Sequence, residues 1–234
     1  MESTDYDRYI RVSELLALQK PATELTCHDE MQFQVVHQVA ELWMKLVEFE
    51  LQRFAELLGA DQPAPAVSTL RRVSRIQQLL IDQLGVLDTM APKQYATLRT
   101  GLGRGSGQES PGFRALLRLP GELVWPAFSG FLQRSRCDLR DIYDKSQGDH
   151  LMFQLAEGLV DYDQLLQTWR YRHLLLVYRM IGTETLSLKG KPSEILATGM
   201  KQRFFPKLWE VRDEVFADWN KQMATKGTEP GYHG

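Results

Sequence analysis

The sequence contains few cysteines and no long apolar run. Its two cysteines, Cys27 and Cys137, lie far apart and have no other thiol beside them. They exclude a zinc ribbon and a disulfide scaffold within one chain, and they predict reduced thiols in a cytoplasmic protein. No apolar signal core follows the acidic N-terminus, and no window approaches the roughly 18 apolar residues that span a membrane. We therefore expect a cytoplasmic protein that is not inserted in a membrane.

An excess of charge of either sign is also missing. Lys and Arg number 28 against 30 Asp and Glu, which gives a net charge of -2. A nucleic-acid or anionic-membrane binder needs a basic stripe, so we expect neither kind of partner. Apolar residues make up 43% of the 234 residues and aromatic residues 10%, which indicates a folded chain of one-domain length. We expect one helical domain over residues 1–225 and a flexible tail over residues 226–234.

Apolar residues recur at steps of three and four along most of the chain, which is typical of helices. Strand-like alternation bounded by hairpin signals is missing, so we expect an all-α fold, a helical bundle. The pattern predicts helices over residues 10–19, 30–58, 68–87, 139–159, 162–181 and 193–223, the last interrupted at Pro206. Ser13 is the expected N-cap of the first helix, and residues 62–65 are the expected linker before the third. Residues 101–113 are expected to form a glycine-rich loop. The pattern leaves the secondary structure of residues 120–130 undecided.

Two of the five histidines lie on apolar helical faces. His37 follows Phe33 by four residues and precedes Glu41 by four, and His173 follows Trp169 by four. Residues four apart share one face of a helix. Spacing alone leaves two interpretations of each histidine. It is either a core side chain bonded to a carbonyl or a carboxylate, such as Glu41 beside His37, or part of a haem or metal site.

Other site chemistries lack their motifs. A di-metal carboxylate bundle needs paired Glu-x-x-His motifs, and the chain has none. The adjacent residues His28, Asp29 and Glu30 point to different sides of a helix, and the two acids are expected to complement the helix dipole. A nucleophile elbow and a strand before the glycine-rich loop are missing as well. Haem is the cofactor that suits two histidines on apolar helical faces with aromatic neighbours.

Two long motifs resemble those of the tryptophan 2,3-dioxygenase family, within the superfamily of histidine-ligated haem-dependent aromatic oxygenases. The run from His28 to Trp43 is similar to the family signature. The run from Trp169 to His173 is similar to the family's haem-ligand helix. With one large gap after the glycine-rich loop, the resemblance extends from about residue 6 to about residue 212.

The resemblance implies an all-helical protein that holds haem b and uses ferrous iron and O2 to oxidise the indole ring of tryptophan or a tryptophan derivative. It also implies a homo-oligomer, a tetramer or a dimer. His173 resembles the proximal ligand of the haem iron, on a cofactor-binding helix that also carries Trp169. His37 resembles the catalytic distal histidine, which forms a hydrogen bond with the ring N–H of the substrate.

Substrate-binding residues are implied as well. Phe33 would pack against the substrate ring, and Arg99 would clamp the substrate carboxylate with a planar, two-pronged donor. Taken alone, Arg99 fits a surface ion pair equally well. The other implied residues are Tyr6 and Tyr9 of a neighbouring subunit, Tyr95 beside Arg99, Ser187 in a closing loop, and Ser106 and Gly107, where the glycine-rich loop approaches the haem.

The sequence departs from the family pattern around the substrate. The family closes its site with the loop Gly-Thr-Gly-Gly-Ser-Ser-Gly, and residues 186–192 lack this pattern, with Ser187 as the expected replacement for the threonine hydroxyl. Leu84 and Leu98 stand where aromatic residues are usual, and Gln108 stands where a phenylalanine is usual. These changes spare the iron ligand, so they predict that haem binding is kept.

The outcome of the reaction stays open on these grounds. Insertion of both oxygen atoms across the bond between indole carbons 2 and 3 is the leading hypothesis. The alternative is hydroxylation, the insertion of one oxygen atom, on a tryptophan derivative, tyrosine or another aromatic amino acid in natural-product biosynthesis. A haem sensor or carrier without turnover is a third hypothesis.

Overall fold

The structure is a computed structural model, and it describes residues 4–103, 105, 107–144, 151–183 and 199–225. Within these ranges all regular structure is helical and no strand occurs, which confirms the all-α class. The α-helices are α1 (Asp5–Ile10), α2 (Val12–Leu15), α3 (Glu30–Gly59), α4 (Pro63–Asp82), α5 (Leu84–Leu87), α6 (Pro92–Gly101), α7 (Pro111–Leu119), α8 (Trp125–Arg134), α9 (Leu139–Asp144), α10 (Leu151–Ile181) and α11 (Pro206–Thr225). Short 3-10 turns lie at Ala22–Glu24, Gly107–Glu109 and Gly199–Lys201, and a π-helical turn lies at Pro120–Val124.

Three long helices form the centre of the bundle, with α4 packed between α3 and α10. Their facing side chains, with those of α7, α8 and α11, form the main core, the larger cluster of buried apolar residues. Its fully buried large side chains include Leu51, Phe54, Leu58, Leu70, Leu116, Phe128, Leu155, Leu159, Tyr162, Phe205 and Leu208. Gly158 lets α10 approach α4 closely, because a Cβ there would lie 2.9 Å from Leu70 Cδ1. Burial of this apolar surface contributes more than any other interaction to the stability of the fold.

Helix α4 begins at Pro63 rather than near Ser68. The expected linker over residues 62–65 is therefore wrong, because Pro63 and Pro65 lie in the first turn of α4. Proline suits this turn, since a first-turn N–H has no intrahelical partner and the proline φ is already helical. Only residues 60–62 then connect α3 to α4. So short a connection makes the two helices antiparallel neighbours.

Helix α7, the π-helical turn and α8 follow one another without a break. Residues 120–130, which the sequence pattern leaves undecided, are therefore helical. Pro120 has no N–H to donate to the carbonyl of Leu116 one turn earlier. The buried hydroxyl of Tyr162 on α10 donates to that carbonyl instead, at 2.7 Å. A buried carbonyl without a donor would cost about 1–3 kcal/mol. The bond from Tyr162 thus compensates for the proline and ties α7 to α10.

The N-terminal segment differs from the predicted helix over residues 10–19. It forms two short helices, α1 and α2, separated by Arg11 with a φ of 58°. Thr4 caps α1 by accepting from the N–H of Asp7 at 3.1 Å. The prediction of Ser13 as N-cap is wrong, because Ser13 lies within α2 and donates to the Asp7 carboxylate. Neither short helix buries a side chain.

Helix α10 is one helix where the sequence predicts two. It continues through residues 159–162, because Gly158 serves the close contact with α4 and does not end the helix. Helix α11 begins at Pro206, where the sequence predicts an interruption. The expected helical residues 193–198 and the expected tail, residues 226–234, lie outside the described residues.

The described helices are amphipathic rather than apolar throughout. None of them is long and apolar enough to cross a membrane. Even the long helices carry buried charged residues, including Glu30 and Glu50 on α3 and Asp163 and Arg170 on α10. Each of these charges has polar partners, some of which position the site described next.

Candidate functional site

A second group of buried apolar residues lies where α3, α5, α6 and α10 meet. This second cluster consists of Val36, Leu84, Leu87, Met90, Leu98, Leu176 and Met180. Phe33, Tyr95 and Trp169 pack against it and remain partly exposed. The cluster therefore brings together the two helices that carry His37 and His173.

His37 is held by the preceding turn of α3. Its ring centroid lies 4.1 Å from that of Phe33, and its Nδ1 lies 2.7 Å from the Phe33 carbonyl oxygen. Because a carbonyl oxygen only accepts, Nδ1 carries the proton and donates. The neutral ring keeps a lone pair on Nε2, which can accept a hydrogen bond from a ligand. The interpretation in which Glu41 is the hydrogen-bond partner of His37 is therefore wrong.

His37 is exposed to solvent, although neighbouring side chains, Phe33 among them, pack around its ring. Burial lowers its pKa below the ordinary value, against the Phe33 carbonyl and the charge of Glu41, which both raise it. A lowered pKa keeps the imidazole neutral near pH 7. His37 can therefore act there as a hydrogen-bond acceptor.

His173 stacks on Trp169, with ring centroids 5.2 Å apart and ring planes 9° from parallel. Burial, and to a smaller extent the charge of His37, lowers the pKa of His173 to about 4. Neither ring nitrogen of His173 has a hydrogen-bond partner among the described residues.

These properties fit a haem-binding site. An imidazole that is neutral at pH 7 has a ring-nitrogen lone pair that can coordinate iron, and neither nitrogen of His173 is engaged by a described residue. The indole Nε1 of Trp169 is also buried and has no partner among the residues that the structure describes. A bound group is one explanation of such an unpaired buried donor. The apolar side chains of the second cluster suit the face of a porphyrin, and no group of three or more described His, Cys, Asp or Glu residues forms a competing metal site.

Tyr95 and Arg99 lie one turn apart on α6. The ring centroid of Tyr95 is 6.3 Å from that of Phe33. Burial raises the pKa of Tyr95, and the positive charge of Arg99 opposes that rise. Arg99 is partly exposed. The structure thus places Phe33, His37 and Tyr95 together, with Arg99 one turn beyond Tyr95 on the same helix.

Other predicted site residues are not brought to this place. Tyr6 and Tyr9 are 70% and 87% exposed on α1, which packs on α2. Gly107 is exposed in its 3-10 turn. Ser106 and Ser187 lie outside the described residues, as does the whole of the expected closing loop.

Two departures from the family pattern fall inside the second cluster. Leu84 and Leu98 are 4% and 1% exposed and lie on α5 and α6. Smaller side chains there reduce the bulk of the wall beside the histidines. Gln108, the third departure, is exposed. The departures at positions 84 and 98 therefore lie in the apolar cluster between the two histidine helices.

A polar network that the sequence does not reveal fixes the chain that follows the expected closing loop. Arg170, three residues before His173, donates to the carbonyl of Gly199 and, at 3.3 Å, to Gln202. Asp163, two turns earlier on α10, accepts from the N–H of Phe204 at 3.1 Å. Both charged residues are at most 9% exposed. They tie residues 199–204 to the helix that carries His173.

The contacts of Glu41 also differ from the sequence interpretation, in which Glu41 is a hydrogen-bond partner of His37. Its carboxylate accepts from the hydroxyl of Ser110 and from the N–H of Gly112. These donors lie at the junction of the glycine-rich loop and α7. Residue spacing cannot predict these contacts, because the partners of Glu41 are 69 and 71 residues away in the chain.

An all-helical protein that carries one imidazole without a hydrogen bond to the described residues and a second imidazole able to accept one has the features of the class of haem-binding helical proteins. Comparison with known proteins specifies the class. The family model described as tryptophan 2,3-dioxygenase matches residues 1–123. Since that match covers more than half of the chain, the protein belongs to the tryptophan 2,3-dioxygenase family.

Individual relatives extend the similarity to almost the full length. A tryptophan 2,3-dioxygenase of Myxococcus xanthus is 30% identical over 91% of this chain and 90% of that protein. One of Bacillus cereus is 31% identical over 92% of this chain and 94% of its own length. One of Saccharopolyspora erythraea is 30% identical, with 90% and 92% covered. The resemblance that the two histidine motifs indicate is thus confirmed over most of the chain.

Proposed function

We propose that this protein is a haem-dependent dioxygenase, an oxidoreductase that inserts both atoms of O2 across the bond between carbons 2 and 3 of the indole ring of tryptophan. Family membership and the names of the relatives support this activity. In the structure, the observation that carries it is the pair His37 and His173, contributed by two helices to one apolar cluster. The relatives compared above are all dioxygenases by name, so hydroxylation is not favoured.

His173 would hold the iron of haem b, and Trp169 would fix the plane of its imidazole. Bound ferrous haem supplies the activation of O2. The apolar side chains of the second cluster would exclude water from the reacting atoms. The neutral state of His173 is the one that binding requires, because a protonated ring nitrogen offers no lone pair.

The opposite wall would hold the substrate. Nε2 of His37 would accept the hydrogen bond from the indole N–H, since Nδ1 is already committed to the Phe33 carbonyl. The ring of Phe33 would pack against the indole, with Tyr95 behind it. Arg99 would pair with the substrate carboxylate through two parallel N–H groups. Tyr6, Tyr9, Ser106, Gly107 and Ser187 stay predicted contributors to the same site.

We also propose a cytoplasmic homo-oligomer, a tetramer or a dimer, built on one domain of residues 1–225. The support is an outward apolar stripe on α3, where Val35, Leu42 and Phe49 recur every seven residues and are 40%, 49% and 63% exposed. Exposed apolar residues in a regular stripe are typical of a contact between helices. Sedimentation of the purified protein tests the oligomer, and a monomer would contradict it.

The activity is tested by adding L-tryptophan and isotopically labelled O2 to the reduced, haem-loaded protein. We expect a product that carries two labelled oxygen atoms. A product with one labelled atom would establish hydroxylation instead. A haem spectrum without turnover on any aromatic amino acid would support a sensor or carrier and overturn the proposal.

The ligand assignment is tested separately through the absorption spectrum. His173→Gly is expected to lose haem, and added imidazole is expected to restore it, because the free ligand fills the space of the missing ring. His28→Gly is the control, since His28 is exposed and lies outside the site. Haem retained by His173→Gly without imidazole would refute the assignment.

A further inference from the structure

The carboxylate of Glu41 joins α3 to the N-terminus of α7. Its Oε2 accepts from the N–H of Gly112 at 3.1 Å, and its Oε1 accepts from the hydroxyl of Ser110. That hydroxyl in turn accepts from the N–H of Phe113 at 2.9 Å, which makes Ser110 the N-cap of α7. One side chain of a neighbouring helix therefore completes the cap, because it satisfies a first-turn donor that Ser110 does not reach.

The local sequence is suited to this contact. Pro111 has no N–H, so the N–H of Gly112 is the first donor that α7 offers. A Cβ at residue 112 would lie 2.6 Å from Met44 Cβ and 2.8 Å from Glu41 Oε2, which is closer than atoms can approach. The positive end of the helix dipole also favours an anion here. Glycine at position 112 and the carboxylate at position 41 thus require each other.

This anchor connects the distal histidine to the end of the glycine-rich loop. Ser110 directly follows the 3-10 turn Gly107–Glu109, the last part of that loop. Glu41 lies one turn beyond His37 on α3, and its charge raises the pKa of His37. The same carboxylate therefore lies next to the candidate hydrogen-bonding group and holds the loop expected to approach the haem.

We infer that Glu41 is a positioning residue of the substrate site, which fixes the end of the glycine-rich loop against the helix that carries His37. It acts through Ser110 and Gly112 and does not itself contact the substrate. This inference rests on the proposed function, since that function gives the loop its place beside haem and substrate. Releasing the loop should weaken substrate binding more than it slows the reaction.

Glu48 provides a matched control for this role. It lies two turns further along α3 and pairs with Arg118 of the same helix α7, at 4.0 Å. Glu48→Gln therefore disturbs the contact between α3 and α7 away from the loop, whereas Glu41→Gln disturbs it at the loop. Ser110→Ala removes one donor to Glu41 and keeps the carboxylate. The three variants separate loop positioning from general docking of α7.

The first measurement is amide hydrogen exchange over residues 101–113 in the full-length protein without added tryptophan. Glu41→Gln and Ser110→Ala are each expected to speed exchange roughly 10- to 100-fold, the factor that corresponds to one lost charge-assisted hydrogen bond. Glu48→Gln is expected to leave it unchanged. The double variant should add little to either single one, because the two residues act as one contact.

The second measurement is the steady-state oxidation of tryptophan by the haem-loaded variants. Glu41→Gln and Ser110→Ala should raise KM by a larger factor than they lower kcat. Equal effects of Glu41→Gln and Glu48→Gln, or unchanged exchange in the loop, would overturn the inference. If the unmodified protein does not oxidise tryptophan, the proposed function fails, and hydrogen exchange alone still decides whether Glu41 holds the loop.

Discussion

The main core and the second cluster are stabilised in different ways. In the main core, Leu51, Phe54 and Leu58 are completely buried, and aliphatic and aromatic side chains of other helices surround them. The second cluster is smaller, and none of its members is completely buried, since they are 1–9% exposed. Burial of apolar surface is therefore complete at the centre of the main core and slightly less complete in the second cluster.

Polar contacts compensate on the side of the site. The buried carboxylate of Glu30, at the start of the histidine helix α3, accepts from Lys20 Nζ at 2.6 Å and from the Thr26 N–H at 2.6 Å. Arg172, the neighbour of His173, pairs with Asp88 at 3.2 Å. A wall that must admit a ligand cannot gain from complete burial, so directional bonds hold it in position. The comparison teaches that the fold and the site have separable sources of stability.

The largest expected effect is on the main core. Phe54→Ala should lower the free energy of unfolding by about 3–5 kcal/mol, since it leaves a cavity at a fully buried position. His173→Ala in the haem-free protein should change it by less than about 1 kcal/mol, because the ring forms no hydrogen bond with the described residues and stacks on one side chain, Trp169. Urea denaturation measures both. Similar losses from the two variants would contradict the separation of fold and site.

The same comparison shows what a sequence can predict. The apolar period of α3 predicts residues 30–58, and the helix is Glu30–Gly59, because one face of it is buried along almost its whole length. Pro63 misleads, since proline is usual in a linker and stands here at a helix start, and no pattern in the sequence shows that Gly158 serves a close helix contact. Patterns reveal which face is buried and not which neighbour requires a glycine.

The candidate site likewise contains residues that the sequence reveals and residues that it does not. His37 and His173 stand out in the sequence because a histidine interrupts an apolar face, and the structure places both at the second cluster. Glu41 and Arg170 do not stand out, because their partners are brought near only by the packing of helices. A histidine on an apolar helical face is a local signal in the sequence, whereas a polar contact between distant segments leaves none.

A smaller effect is expected from Glu30, whose hydrogen bonds with Lys20 and Thr26 lower its pKa from 4.5 to about 2. Because the folded state lowers this pKa, the stabilisation is complete above about pH 4.5 and is lost as the pH falls towards 2. Glu30→Gln should therefore destabilise the protein by about 1.5–3 kcal/mol at pH 7, and the difference from the unmodified protein should shrink in acid.

Urea denaturation at several pH values between 7 and 2.5 measures this dependence. Glu56→Gln is the control on the same helix, since its ion pair with Arg53 is exposed and should contribute less than about 1 kcal/mol at any pH. A destabilisation by Glu30→Gln that is independent of pH would show that shape rather than charge matters at the start of α3. It would contradict the conclusion that charged hydrogen bonds stabilise the region of the candidate site.

The smallest effect on stability is expected at Leu98. In a closely packed core, a phenylalanine in place of leucine costs about 1–3 kcal/mol, and Leu51→Phe, at a completely buried position of the main core, should show such a loss. Leu98→Phe should cost less than about 1 kcal/mol, because Phe33 and Tyr95, which pack on the second cluster, are partly exposed and can shift outward to make room for the larger ring. The same substitution should change KM for tryptophan, whereas Leu51→Phe should not. Equal losses of stability would mean that the second cluster is as closely packed as the main core, and the smaller residue at position 98 would then be a matter of packing rather than of substrate space.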